Sequence, residues 1–147
     1  MANTLDSTDE RILDELSGDG RMSMRALSER LHISRANAYA RVERLRNEGV
    51  IRGFRADIDP VARGFGTTAY VTLNLEQADW RDVRDQLLAL DGIVHIGLLA
   101  GEFDVILLVR ARDNSDLRRL VLEDIQNMPA VRSTRTLLVF DEAGPAW

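Results

Sequence analysis

The 147-residue sequence contains no cysteine and no lysine, and it has only two histidines and 5% aromatic residues. Without cysteine there can be no disulfide bond, thiolate metal site or cysteine nucleophile. A metal site built on His32 or His95 would need carboxylates at ligand spacing, and the sequence shows none. Nucleophile–base pairs and glycine-rich phosphate loops are absent as well. We therefore expect no metal, no cofactor chemistry and no enzyme.

Long apolar runs are also missing. The longest, residues 105–109, is far too short to span a bilayer. The first ten residues lack the basic flank and apolar stretch of a signal peptide. With 45% hydrophobic and 29% charged residues, the chain is predicted to be globular, with one ordinary domain or two small ones. We expect a cytoplasmic protein with no membrane partner.

The charge is distributed unevenly along the chain. Residues 1–20 carry one arginine and six acids, a balance of −5, and residues 67–147 carry eight arginines and thirteen acids, again −5. Between them, residues 21–55 carry nine arginines and three glutamates, a balance of +6. This pattern predicts that only the middle segment meets a polyanion.

The basic segment reads as a helix-turn-helix over residues 23–49. Ser34 is expected to cap its second helix, in which Ala38, Val42 and Leu45 form a buried stripe. His32 occupies the turn, where a left-handed conformation that usually favours glycine is expected.

A first helix is predicted from about Ser7 to Leu16, with Ser7 and Glu10 as a capping box. After the basic segment, residues 50–56 read as an extended segment that serves as a wing and then a hinge. Asp59-Pro60 and the glycines that follow mark a boundary near residue 60.

The second half alternates between strand and helix patterns. The order is strand, helix, strand, strand, helix, strand, with the last helix predicted over residues 113–128. This order is typical of a ferredoxin-like βαββαβ unit, whose antiparallel sheet has helices on one face and leaves the other for a partner.

Several motifs occur in a specific order along nearly the whole chain. They are Leu5-Asp6-x-x-Asp9-x-x-Ile12-Leu13, Asp19-Gly20-Arg21-x-Ser23, Arg41-Val42-x-Arg44-Leu45-x-x-x-Gly49-Val50-Ile51, Gly101-Glu102-Phe103-Asp104 and Met128-Pro129-x-Val131. By these motifs the chain resembles the Lrp/AsnC family of bacterial and archaeal transcription regulators.

The resemblance implies an α+β protein with an N-terminal winged helix-turn-helix and a C-terminal ferredoxin-like domain. We expect residues 1–52 to bind double-stranded DNA, residues 53–66 to form a hinge strand, and residues 67–147 to bind an effector and oligomerise. The family forms homodimers that often assemble further, commonly into octamers. Its usual effectors are amino acids, bound near the loop that matches Gly101 to Asp104.

The DNA-contact candidates lie at the start of the third helix or on its surface outside the buried stripe: Ser34, Arg35, Asn37, Tyr39 and Arg44. Asparagine can read a base, and arginine can hold phosphate or guanine. Arg44 is expected to face outward. Two alternatives stay open: Arg41 either pairs with Asp9 or contacts phosphate, and Tyr39 either stacks on the DNA backbone or packs on the first helix.

The effector candidates are Gly101, Glu102, Phe103 and Asp104. They can also be read as an ordinary hairpin turn, with Phe103 packing beneath it. However, Asp104 precedes a wholly apolar strand, which is an unusual place for a carboxylate. It could bind the α-ammonium of an amino acid while glycine N–H groups bind the α-carboxylate.

The leading hypothesis is therefore a sequence-specific regulator that responds to an amino acid. An architectural protein that binds DNA with little sequence preference and no effector is the alternative. The sequence leaves the identity of the effector, the direction of regulation and the final oligomer open.

Overall fold

The computed structural model of the chain describes residues 5–76 and 80–143. Contacts divide the chain into two compact units, Met1–Ala56 and Asp57–Trp147, each with its own hydrophobic core. No helix within the described ranges combines the length and apolar character needed to cross a bilayer.

The first unit consists of three helices, α1 (Ser7–Gly18), α2 (Met24–Leu31) and α3 (Arg35–Asn47). The buried stripe predicted for α3 is confirmed, because Ala38, Val42 and Leu45 are all buried. The apolar faces of the three helices meet in one core. Its buried members are Ile12, Leu16, Met22, Leu27, Leu31, Val42 and Leu45.

Side chains and backbone geometry set the ends of α2 and α3 as predicted. Ser34 Oγ accepts a hydrogen bond from the Asn37 N–H at 3.1 Å, and Ser23 Oγ accepts one from the Ala26 N–H at 3.1 Å. His32 ends α2 in the left-handed region, with φ 55° and ψ 43°. Both the serine cap of α3 and the left-handed turn at His32 are therefore confirmed.

The capping box predicted for α1 is wrong by one residue. Asp6, not Ser7, is the N-cap, and its Oδ1 accepts from the N–H groups of Thr8 and Asp9, both at 2.9 Å. Asp9 Oδ2 accepts in return from the Asp6 N–H at 3.1 Å. Aspartate caps a helix as well as serine does, and beginning the helix at Ser7 makes Asp9 its third residue in place of Glu10.

The segment that follows α3 does not become a strand. Residues 53–59 have neither helical nor strand structure, so the extended segment predicted over residues 50–56 joins no sheet in this chain. A strand needs a neighbouring strand for its backbone groups, and the described residues of the first unit contain none. Ile51 instead packs against the helical core, and its N–H donates to the Leu45 carbonyl at 3.0 Å.

The second unit confirms the βαββαβ order. Its elements are β1 (Thr67–Leu75), α4 (Trp80–Leu88), β2 (Ile93–Leu98), β3 (Val105–Ala111), α5 (Asn114–Arg119) and β4 (Val131–Val139). The strands form one antiparallel sheet in the order β2-β3-β1-β4. Ala69, Val71 and Leu73 of β1 lie in the core beneath the helices.

The last helix differs from the prediction of one α-helix over residues 113–128. After α5, residues Leu120–Ile125 form a π-helix, in which the Gln126 N–H donates to the Val121 carbonyl at 2.9 Å. The wider π turn places residues five apart on one face. Leu120 and Ile125, five residues apart, are both buried in the core of this unit.

The other face of the sheet carries alternate residues of the same strands. Tyr70 of β1 pairs with Leu137 of β4, and Thr72 pairs with Arg135. Leu137 is 50% exposed. No helix among the described residues covers this face.

A substitution of Gly92, in the turn before β2, tests how tightly the second unit is packed. Its φ is +93°, and a Cβ there would lie 2.6 Å from the Arg110 carbonyl oxygen. Gly64 has a similar φ of +95° but open space around it. We expect Gly64→Ala to cost about 1 kcal/mol for the left-handed backbone alone. Gly92→Ala should cost at least about 2 kcal/mol more, because the backbone must also move.

Urea denaturation of the two variants measures the difference. Equal free energies of unfolding for Gly92→Ala and Gly64→Ala would show that the contact with Arg110 does not constrain the turn.

Candidate functional site

The first half of α3 presents an exposed surface. Its exposed residues are Ser34, Arg35, Ala36, Asn37, Tyr39 and Ala40. Tyr39 is 54% exposed. The short side chains of Ala36 and Ala40 project little from the helix between the longer polar side chains. The Ser34 hydroxyl accepts a bond from within the helix and keeps its own hydrogen to donate.

Behind this surface, Asp9 of α1 bridges two arginines of α3. Asp9 Oδ1 lies 2.8 Å from Arg41 Nη1, and Asp9 Oδ2 lies 2.6 Å from Arg44 Nη2. Arg41 Nη1 also donates to Asp6 Oδ2 at 2.7 Å. The Asp9 side chain is only 2% exposed, compared with 24% for Arg41 and 36% for Arg44. These residues, with Asn37 and Ala40, line an open concavity of about 450 Å³.

The ionisation of Asp9 depends on these arginines. Burial raises the pKa of Asp9, but hydrogen bonds from Arg44 and Arg41 outweigh it and hold that pKa at about 2, below the ordinary value of 3.8. Hydrogen bonds to Asp6 and Asp9 raise the pKa of Arg41, and the hydrogen bond to Asp9 raises that of Arg44. The buried carboxylate is therefore fully charged and neutralised at physiological pH.

The structure agrees with the predicted pairing of Arg41 and differs from the prediction for Arg44. The predicted pairing of Arg41 with Asp9 is present. The expectation that Arg44 simply faces outward is wrong, because residues three apart on a helix share a side and both guanidinium groups reach Asp9. A DNA contact by Arg44 stays a prediction, as do contacts by Ser34, Arg35, Asn37 and Tyr39.

In the second unit, Asp104 ties the predicted effector loop to the sheet. Its Oδ2 accepts from the Leu75 N–H at 2.7 Å, and its own N–H donates to the Leu73 carbonyl at 3.0 Å. The Leu99 N–H donates to the Asp104 carbonyl at 2.8 Å. The pairing of β1 with β4 shifts register between Asn74 and Leu75. This carboxylate therefore has a structural role that explains its position before an apolar strand.

The rest of the loop lies beside an arginine that the sequence did not single out. Gly101 and Glu102 are exposed, and Phe103 is half-buried. The Arg135 guanidinium carbon lies 5.2 Å from the centroid of the Phe103 ring, and Arg135 Nη1 lies 4.0 Å from Glu102 Oε1. Arg135 is 32 positions from Phe103, and no sequence pattern links the two. Only the strand pairing shows that they meet.

Two family models match the chain. The winged helix-turn-helix DNA-binding model matches residues 5–52, and the Lrp/AsnC ligand binding domain matches residues 68–145. The chain belongs to the Lrp/AsnC family of transcription regulators. It is therefore a transcriptional regulator with a DNA-binding helix-turn-helix and a ligand-binding domain, and not a member of an enzyme family.

Individual relatives agree with this assignment. The chain is 40% identical to the HTH-type transcriptional regulator AldR of Mycobacterium tuberculosis, over 93% of this chain and 78% of AldR. The structure of Escherichia coli AsnC matches with a TM-score of 0.88 at 25% identity, covering 99% of this chain and 98% of AsnC. A transcriptional regulator of Neisseria meningitidis in complex with L-Met matches with a TM-score of 0.87 at 26% identity, covering 96% and 93%.

The low pKa of Asp9 predicts a pH-dependent stability. Because this pKa is lower in the folded than in the unfolded chain, the charge of Asp9 stabilises the fold above about pH 4, and this contribution is lost as the pH falls toward 2. We expect Asp9→Asn to lower the free energy of unfolding by roughly 2 kcal/mol at neutral pH. The difference from wild type should shrink between about pH 4 and pH 2.

Denaturation with urea across this pH range measures the effect. Asp14→Asn, on the exposed side of α1, is the matched control and should change stability little at any pH. A cost of Asp9→Asn that is the same at neutral pH and at pH 2 would contradict a role for the charge.

Proposed function

We propose that this regulator binds specific sequences of double-stranded DNA through α3, and that an amino acid effector changes its assembly or its DNA affinity. The observation that carries the DNA part is the exposed first half of α3. It combines small residues with hydrogen-bonding side chains, and it belongs to the only basic stretch of an otherwise acidic chain. A helix of this kind fits the major groove.

Each candidate contact has a distinct chemical role. Arg35 and the part of Arg44 that stays exposed offer positive charge to phosphate or guanine. Asn37 offers its amide, Ser34 its hydroxyl hydrogen, and Tyr39 a ring for the sugar-phosphate backbone. Phosphate contacts set the position of the helix, and base contacts set the sequence preference.

The proposal assigns one role to each part of the chain. Residues 1–52 form the DNA-binding part, residues 53–66 the hinge, and residues 67–147 the effector-binding and oligomerising part. We propose a homodimer, with further assembly into higher oligomers such as octamers. Two α3 helices in successive major grooves would require a roughly palindromic site.

The proposed effector site surrounds the loop from Gly101 to Asp104. One oxygen of Asp104 bonds the Leu75 N–H, and Oδ1 has no hydrogen-bond partner among the described residues. This oxygen is suited to an ammonium group. Exposed N–H groups near Gly101 and the neighbouring Arg135 are suited to a carboxylate. The family match to a ligand-binding domain and the L-Met complex of the Neisseria relative support an amino acid.

Fluorescence anisotropy with DNA from upstream of the protein's own gene tests the DNA part. Wild type should bind this DNA in the presence of excess unrelated competitor. Arg35→Ala and Tyr39→Ala should each weaken binding about tenfold, since each removes one contact worth roughly 1–2 kcal/mol. Arg84→Ala, which removes an exposed arginine from α4, is the control and should bind as wild type does.

Two outcomes of this assay would contradict the proposal. If competitor DNA abolishes binding, the protein binds DNA with little sequence preference, as an architectural protein does. If Arg84→Ala weakens binding as much as Arg35→Ala, α3 is not the helix that recognises the DNA sequence.

Repeating the assay with a pool of the twenty amino acids tests the effector part. We expect the pool to shift the DNA affinity of wild type, and splitting the pool then identifies the amino acid. Asp104→Asn should reduce the response to that amino acid at least tenfold, because the amide still accepts from the Leu75 N–H but no longer attracts an ammonium group. Asp91→Asn, at an exposed turn, is the control. A full response in Asp104→Asn would place the effector elsewhere.

A further inference from the structure

The side chain of Asn37 is not free on the surface of α3. Its Oδ1 accepts a hydrogen bond from Arg41 Nε at 2.9 Å. The same guanidinium group uses Nη1 to bond Asp6 and the buried Asp9. A continuous chain of hydrogen bonds therefore runs from a buried carboxylate of α1, through Arg41, to an exposed amide on the DNA-facing helix.

This chain fixes which way the amide of Asn37 points. A guanidinium group only donates hydrogen bonds, so the atom of Asn37 that faces Arg41 must be the oxygen. The Nδ2 amino group, with its two donors, then points away from Arg41. Asparagine that reads adenine uses both amide atoms, the oxygen accepting from N6 and the nitrogen donating to N7. Here the bond from Arg41 uses one of the two lone pairs of the oxygen and holds that atom turned toward Arg41.

We infer that Asp9 and Arg41 are positioning residues that hold Asn37 as a hydrogen-bond donor toward DNA, so that Asn37 contacts an acceptor and does not read adenine with both amide atoms. The acceptor is either a purine N7 or a phosphate oxygen, which share the chemistry that an N–H recognises. This inference rests on the proposed function, because it concerns how α3 meets DNA.

A purely structural role does not account for the whole arrangement. Asp9 is neutralised by Arg44 as well as by Arg41, so the pairing of α1 with α3 has a second ion pair. The bonds from Arg41 to α1 use Nη1 alone. The Nε bond to Asn37 joins two residues of α3 and does not itself cross to α1. Its effect is to orient an exposed side chain.

Arg41→Lys separates positioning from stability. Lysine keeps a positive charge beside Asp9 and Asp6. However, it lacks the planar guanidinium group, whose separate Nε and Nη1 donors bond Asn37 and the two aspartates at the same time. Arg46→Lys is the matched control on the same helix, because among the residues that the structure describes Arg46 pairs with Glu43, at the surface. We expect Arg41→Lys to weaken binding to the upstream DNA about tenfold, through loss of one oriented contact. Arg46→Lys should leave it unchanged.

The first readout uses the free protein. In ¹⁵N NMR spectra, the Nε–H of Arg41 should be protected from exchange, and Asn37→Ala should shift its signal and remove the protection. An Arg41 signal that does not respond to Asn37→Ala would overturn the inference, whatever the protein does with DNA.

The second readout uses modified DNA. Replacing adenines one at a time by purine removes the N6 amino group, and 7-deazapurines remove N7. Methylphosphonates remove the charge of single phosphates. Wild type should lose about tenfold in affinity at one 7-deazapurine or one methylphosphonate, and Asn37→Ala should lose this sensitivity. The 7-deazapurine arm identifies a purine acceptor, and the methylphosphonate arm identifies a phosphate.

Removal of the N6 amino group should change the DNA affinity of wild type and of Asn37→Ala by the same factor. In Arg41→Lys the amide is free to turn, so where the acceptor is the N7 of an adenine, sensitivity to the N6 amino group of that adenine should appear. If wild type itself shows an Asn37-dependent loss on removal of N6, the amide oxygen contacts the base and the inference is overturned. Failure of the proposed function is distinguishable, because wild type would then bind no upstream DNA while the NMR readout still reported the Arg41–Asn37 bond.

Discussion

The buried carboxylate of Asp9 is the interaction on which the first unit depends. It lies between two arginines of α3 and also bonds the backbone at the start of α1. Without its arginine partners, this carboxylate would be a buried, unpaired charge. Such a charge lowers stability far more than the loss of a surface contact does. The position of α3 relative to α1 is therefore coupled to the ionisation of one side chain. Because the Asp9 side chain is almost wholly buried, salt screens this pairing much less than it screens the surface ion pairs.

The second unit uses a carboxylate in a comparable way. Asp104 bonds the backbone of β1 where the pairing of β1 with β4 shifts register, and it immediately precedes β3. In both units, an acidic side chain stabilises the scaffold directly behind a surface proposed to bind a ligand. A rigid support of this kind reduces the entropy that a ligand must remove on binding. Substitutions of Asp9 or Asp104 therefore change stability and binding together. Replacement by asparagine, which keeps the size of the side chain, is the most informative substitution.

Local patterns in the sequence predicted much of this structure. The left-handed turn at His32, the cap at Ser34 and the order of strands and helices depend on nearby residues, and the structure confirms them. One difference is local: Asp6 caps α1 in place of Ser7, because two neighbouring residues can both act as a cap. The other differences arise from tertiary contacts. Arg44 turns toward α1 because it pairs with Asp9. Arg135 meets the predicted effector loop only because strands distant in sequence are neighbours in the sheet, which no local pattern records.

The coupling between the buried carboxylate of Asp9 and the exposed amide of Asn37, which we propose contacts DNA, is the central claim, and a double-mutant cycle tests it most directly. DNA affinity at neutral pH would be measured by anisotropy for wild type, Asp9→Asn, Asn37→Ala and the double variant. If Asp9 acts through Arg41 on Asn37, Asp9→Asn weakens binding in wild type but adds little once Asn37 is alanine. The account predicts a coupling energy of about 1 kcal/mol or more. Strictly additive effects would contradict it.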